Sequence, residues 1–253
     1  MAFLEISGLC KNFGGACAVL DFDLSLEAGR KWALIGPNGA GKTTVLNLIS
    51  GFYRPDVGRL EFDGQSLSGL PPHRIAMLGL SRTFQNIRLW DNLSVLDNVR
   101  LADRRRPSLL DTLLRNRRYV ELERVSSLAA LAMLETTGLA VYAGRKAGSL
   151  PYGLRRLVEL ARALASRPRL LLLDEPAAGL SASETRRLTE LIDRLHKELG
   201  LTILMIEHRM EMVMDLCDGV TALDFGRIIA SGRPEEIRQN QAVVEAYLGG
   251  RDA

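Results

Sequence analysis

Eight consecutive residues constrain this chain more than any others: Gly36-Pro37-Asn38-Gly39-Ala40-Gly41-Lys42-Thr43 fit the pattern G-x-x-x-x-G-K-[ST]. Before them runs Lys31-Trp32-Ala33-Leu34-Ile35, a β-like stretch. After them, residues 43–49 set Val45, Leu46, Leu48 and Ile49 at helical spacing. A strand that enters a glycine-rich turn and leaves as a helix aims several backbone N–H groups at one point, and the helix adds the positive end of its dipole. That suits a chain of phosphates. Lys42 is placed to reach the outer phosphates, the Thr43 hydroxyl to reach a Mg²⁺ ion, and Thr44 completes the binding set.

Such a loop needs a carboxylate for the metal, usually at the end of a buried strand. Leu170-Leu171-Leu172-Leu173, bounded by Pro168 and Asp174, is too short for a free-standing helix and reads as a strand buried on both faces. Asp174 is then placed to hold Mg²⁺ through water, and Glu175 to orient and polarise an attacking water. Two adjacent acids can also cap a helix, but Pro176 argues against that use here.

The rest of the chain reads as an α/β protein. Residues 4–6, 19–26 and 31–35 are β-like, residues 91–137 mostly helical, and residues 158–165 and 181–199 helical. A strand at 201–206, a short helix and two more strands follow. This alternation predicts a largely parallel sheet, with the central helical stretch inserted between strands. Arg104, Arg105 and Arg106, followed by Arg115, Arg117 and Arg118, form the one marked charge cluster. Interleaved leucines and acids make it a solvated helix face in preference to a nucleic-acid patch, with Pro107 breaking it in two.

Composition closes off other classes. With 253 residues, 47% apolar and 25% charged, the chain is neither disordered nor fibrous. Its net charge of +3 gives no reason to expect a polyanion partner, and no nucleic acid is expected. Cys10, Cys17 and Cys217 lack metal-site or disulfide spacing and read as idle thiols. No apolar run is long enough to span a bilayer, and Met1-Ala2-Phe3-Leu4-Glu5 carries an acid where an export signal carries basic charge. A cytosolic chain is the expectation.

Together these motifs resemble the ATP-binding subunit of an ABC transporter, over nearly the whole length. The resemblance implies a P-loop NTPase core with an antiparallel β portion and an inserted α-helical subdomain. It also implies Mg²⁺ and ATP as ligands. Phe13 falls where the family stacks an aromatic ring on adenine, and Gln85, in Thr83-Phe84-Gln85-Asn86, at the glutamine that senses metal and water. Gly179-Leu180-Ser181 matches the D-loop, and His208 the switch histidine that contacts the γ-phosphate. The catalytic set implied is Glu175, His208 and Gln85, with Thr43, Gln85 and Asp174 around the metal. The expected organisation is one domain over 1–253, holding a helical insertion at 86–165 and a short C-terminal extension at 232–253.

The family's signature, Leu-Ser-Gly-Gly-Gln, closes in trans over the ATP of a second subunit. Here it reads Leu150-Pro151-Tyr152-Gly153-Leu154, so serine is replaced by proline and glutamine by leucine. Backbone N–H groups near Tyr152 and Gly153 can still face a phosphate, but a lost side-chain bond to a charged group costs about 1.5–3 kcal/mol. Arg155 is the nearby charge available to compensate. The expectation is an intact nucleotide site paired with a weakened signature.

The phrases Arg82-Thr83-Phe84-Gln85-Asn86-Ile87-Arg88-Leu89 and Asp174-Glu175-Pro176-Ala177-Ala178-Gly179-Leu180, with a tail Glu245-Ala246-Tyr247-Leu248-Gly249, resemble the larger ATPase subunit of branched-chain amino acid importers. That resemblance implies a second ATP-binding subunit, identical or different, transmembrane permease subunits, and indirectly a substrate-binding protein. It implies a peripheral position on the cytoplasmic face of the inner membrane; Leu89, Trp90 and Leu93 are the candidate docking surface, with the core of the helical subdomain as the alternative place for them. A regulatory subunit with weak turnover, the ATPase of another ABC system (urea or amide import, lipid export) and a nucleic-acid-linked ATPase are the alternatives.

Overall fold

The computed structural model describes residues 2–103, 105, 111, 113 and 115–249. Its larger sheet contains β3 (Lys31–Ile35), β6 (Leu80–Arg82), β7 (Leu170–Asp174), β8 (Thr202–Ile206), β9 (Gly219–Asp224) and β10 (Arg227–Gly232). Their order is β10-β9-β3-β8-β7-β6; all neighbours are parallel except β10, which returns antiparallel beside β9. A second, antiparallel sheet holds β1 (Leu4–Phe13), β2 (Ala16–Leu26), β4 (Val57–Phe62) and β5 (Gln65–Ser66) in the order β2-β1-β4-β5. The expected α/β core with an antiparallel β portion is therefore present.

Side-chain alternation along the central strands divides the interior into two cores. Leu170 and Leu172 of β7, with Leu204 and Ile206 of β8, face the antiparallel sheet and meet Leu4, Phe22 and Phe62. Leu171 and Leu173, with Ile203 and Met205, face the other way, against Leu188, Ile192 and Leu195 of α6 (Ala182–Leu199). All five residues of β7 are buried, as a four-leucine run between two layers requires. Each such leucine contributes about 1.5–3 kcal/mol of burial, so the strand that ends in Asp174 is firmly fixed.

The remaining helices are α1 (Lys42–Ile49), α2 (Pro72–Leu78), α3 (Val95–Arg100), α4 (Arg117–Thr136), α5 (Tyr152–Ala165), α7 (Met210–Leu216), α8 (Pro234–Arg238) and α9 (Gln241–Gly249). A third core joins Val95 and Val99 of α3, Ala130 and Leu134 of α4, and Val158 and Ala161 of α5. The opposite face of α5 sends Leu160, Ala163 and Leu164 into the sheet core. One amphipathic helix thus belongs to both.

Some elements depart from the sequence expectation. The helix expected from residue 158 begins at Tyr152, because Pro151 in extended conformation opens it. The strand expected at 4–6 runs to Phe13, carried past residues 7–11 by register shifts that repeated hydrophobicity does not reveal. The short elements β4, β5, α2 and β6 went unseen. Within 91–137 the described helices are α3 and α4, and Arg104, Arg106, Pro107, Leu109, Leu110 and Leu114 lie outside the described residues. Arg105 pairs with Asp103 at 2.7 Å, while Arg115, Arg117 and Arg118 are exposed, as a solvated face predicts.

Candidate active site

The phosphate-type loop lies where sequence places it, between β3 and α1. Gly36, Gly39 and Gly41 all have positive φ, at 144°, 82° and 98°. At Gly36 a Cβ would come within 2.1 Å of the Leu223 carbonyl oxygen, and at Gly41 within 2.3 Å of that of Ala18. These glycines answer both a backbone turn and a close approach. Lys42 is buried and its ammonium donates to the carbonyls of Gly36 (2.7 Å) and Pro37 (2.8 Å), bracing the loop from inside. Burial pulls the Lys42 ammonium below its ordinary pKa, while the charges of Glu175 and Asp174 push the other way. Thr43 and Thr44 sit in the first turn of α1.

The two acids at the end of β7 have different settings. Asp174 Oδ2 accepts from Arg82 Nη2 at 2.8 Å, and both side chains are almost wholly buried, at 3% and 5% exposed. The same guanidinium donates to Asn47 Oδ1 and Ser50 Oγ of the α1 segment. Asp174 Oδ1 is buried and has no hydrogen-bond partner among the described residues. An orphaned carboxylate oxygen near the loop lysine fits a hard cation or a water that the cation holds.

Glu175 adopts φ 48°, a left-handed conformation uncommon for a residue with a side chain. Its N–H donates to the Ile206 carbonyl at 3.0 Å. Its carboxylate is gripped on both sides: Gln85 Nε2 donates to Oε2 at 2.9 Å, and His208 Nε2 lies 2.9 Å from Oε1. Gln85, Glu175 and His208 line one open cleft with Pro37, Asn38 and Tyr247. The three expected catalytic side chains are thus brought together at the loop.

The structure adds residues that the motifs do not reveal. Glu207 is buried and accepts from Ala177 N–H through Oε1 and from His208 and Arg209 N–H through Oε2, binding the turn after Glu175 to the turn carrying His208. Arg156, 2% exposed, donates to the carbonyls of Phe84 (2.7 Å) and Gln85 (2.8 Å) and pairs with Glu159 at 3.0 Å. A buried ion pair on α5 therefore fixes the backbone on which Gln85 stands.

Phe13, at the end of β1, is 41% exposed and meets Tyr53 edge-to-face at 5.0 Å, with Lys11 Nζ 5.4 Å from its ring. Its hairpin reaches the loop through the close approach of Ala18 to Gly41.

The residues of the altered signature stand apart from the cleft. Pro151, Gly153 and Leu154 line a separate cavity with Leu180, Glu184 and Leu188. A Cβ at Gly153 would meet Glu184 Oε1 at 2.6 Å, a contact that the flexible glutamate can yield to. The Tyr152 ring lies over Gly179, where a Cβ would approach it to 2.8 Å. Leu154 packs against the helical core. Arg155 pairs with Asp91 at 2.6 Å, so its charge is engaged within the helical group. Of the expected docking residues, Trp90 is 54% exposed, whereas Leu89 packs against the helical core.

Fold and site together define an ABC-type ATP-binding protein, and residues 19–178 match the family model described as ABC transporter, so the chain belongs to that family. Residues 227–253 match a second model, described as branched-chain amino acid ATP-binding cassette transporter. The chain is 44% identical to the high-affinity branched-chain amino acid transport ATP-binding protein BraF of Pseudomonas aeruginosa, over 97% of each chain. It is 42% identical to the LivG protein of the same description from Escherichia coli, again over 97% of each. Among solved structures, a nucleotide-free ATP-binding cassette from an ABC transporter superposes with a TM-score of 0.85 at 32% identity, covering 98% of this chain and 99% of that one. A cassette in its ADP conformation matches with a TM-score of 0.85 at 31% identity over the same shares.

Proposed function

We propose that this chain binds Mg-ATP in the cleft beside the phosphate loop and hydrolyses it, powering an importer for branched-chain amino acids or a related small polar solute. The observation that carries the reading is the Glu175 carboxylate, held between Gln85 and His208 beside the loop that Lys42 braces. Fixed from both sides, the carboxylate needs little reorganisation to orient a water and take its proton as the water oxygen bonds to the γ-phosphorus and the bond to the bridging oxygen breaks, releasing ADP. In this reading Lys42 and the loop N–H groups would hold the phosphates, His208 would turn to the γ-phosphate, and Phe13 would offer a face to the adenine. Asp174, Thr43 and Gln85 would hold Mg²⁺, which supplies neutralising charge to the phosphate oxygens when bound.

The cargo rests on the BraF and LivG relatives and on the C-terminal match at 227–253. Among the described residues no helix is long and apolar enough to cross a membrane. In this reading the chain works at the cytoplasmic face of the inner membrane, on separate permease subunits fed by a substrate-binding protein. A second ATP-binding subunit receives the residues 150–154 in trans. The organisation proposed is one ATP-binding domain, with residues 86–165 as its helical insertion and 232–253 as its extension.

Replacing Glu175 by Gln tests the chemistry. ATP binding is expected to persist while hydrolysis falls by about 10²-fold or more. Equal turnover in both proteins would remove Glu175 from the reaction. A second reading, a nucleotide-binding subunit with little turnover, is favoured by Leu154, which packs inward where the family carries an amide. Wild-type protein that binds ATP yet stays silent when supplied with its ATPase partner would support it.

A further inference from the structure

Tyr247 belongs to none of the family's nucleotide motifs, yet its hydroxyl accepts the backbone N–H of Gly36 at 2.9 Å across 211 residues of chain. Gly36 is the point at which β3 becomes the phosphate loop, and it is pressed against the Leu223 carbonyl with no room for a side chain. The same tyrosine lines the cleft with Gln85, Glu175 and His208. Although the side chain as a whole is 36% exposed, its hydroxyl end is desolvated against the loop, which pushes its pKa above the ordinary value.

Among the described residues of α9, Val243 is buried in the sheet core and Val244 and Leu248 are exposed, and the helix also touches β10 and α8. A groove lies between Ala242, Glu245 and Ala246 on one side and Asn38, Gly39 and Ala40 on the other. The hydroxyl therefore bridges α9 to the loop beside an open gap.

We infer that Tyr247 is a positioning residue for nucleotide binding: it holds the entrance of the phosphate loop in its binding geometry and makes that geometry depend on the docking of α9. The inference rests on the nucleotide reading above and deepens it. A loop without this tie spends part of its time in arrangements that do not cradle phosphate, and apparent affinity falls with the competent fraction. One neutral hydrogen bond sets the scale at a few-fold, up to about tenfold. Since the hydroxyl acts through the loop and not on the reacting atoms, KM carries the effect and kcat does not.

The experiment is a titration of purified full-length wild type and Tyr247→Phe with a fluorescent ATP analogue, with and without Mg²⁺, followed by steady-state ATPase kinetics and thermal melting. Phenylalanine keeps the ring and removes only the hydroxyl. Kd and KM are expected to rise about three- to tenfold, with kcat within about twofold and the melting temperature of the free protein little changed. Leu248→Ala, on the exposed side of α9, is expected to behave as wild type. Unchanged Kd in Tyr247→Phe, or a fall in kcat alone, overturns the inference and leaves the nucleotide reading standing. A wild type that fails to bind the analogue overturns both.

Discussion

Asp174 and Arg82 lie 2.8 Å apart with both side chains out of solvent, so neither can be removed without stranding the other. Burial lowers the Arg82 pKa and the contact with Asp174 offsets only part of that, so the desolvation cost and its partial compensation meet in one place. Arg82→Ala is expected to destabilise the fold by about 3–5 kcal/mol, read as a lower urea midpoint at unchanged slope. A loss below about 1 kcal/mol would mean that water satisfies the carboxylate once the guanidinium is gone. This residue also marks the limit of motif reading. Lys42, Asp174 and Glu175 stand in short local patterns, whereas His208 is placed by the resemblance to the family and by the order of its motifs along the chain. Arg82 meets its acid 92 residues away, Arg156 meets the Gln85 backbone 71 residues away, and Tyr247 meets Gly36 across 211. Such partners are set by tertiary packing, which leaves no spacing in the chain to read.

Among the elements, β3 is tied to α6 by a charge contact that flanks the core. Lys31 Nζ lies 2.6 Å from Asp193, which also meets Lys197 one turn further on at 2.6 Å. The hydrogen bonds from Lys197 and Lys31 depress the Asp193 carboxyl to about 2. A depressed carboxyl contributes stability above its unfolded pKa near 4 and loses it as pH falls through the folded value. Asp193→Asn is therefore expected to lower stability at pH 7, with its gap from wild type closing between about pH 4 and pH 2 in urea titrations. A gap independent of pH would assign the effect to packing. The strongly patterned elements here, such as β7 and α6, were readable from sequence. The continuation of β1 past Ile6 and the short run from β4 to β6 were not, because their identity comes from pairing partners and not from periodicity.

For the whole molecule, the signature residues and the catalytic cleft occupy separate surfaces of the chain. Under the proposed trans arrangement, ATPase rate should rise faster than linearly with protein concentration when identical copies complete the site. Pro151→Ser with Leu154→Gln is expected to raise the rate at fixed concentration by about ten- to a hundredfold, the equivalent of one restored hydrogen bond to a charged phosphate. A rate per chain independent of concentration, and unmoved by the double substitution, would place the site's completion within one chain.

Helix α5 has a consequence of its own. With Val158 and Ala161 in one core and Leu160 and Leu164 in the other, it serves as a party wall between two rooms. Emptying either room removes support from the other, so the helical group and the sheet are expected to melt in a single transition, which coincident melting curves by two probes would show. The same helix supplies Arg156, whose grip on the Gln85 backbone sets the side chain that faces Glu175, so the wall between the two cores and the support of the cleft are one element.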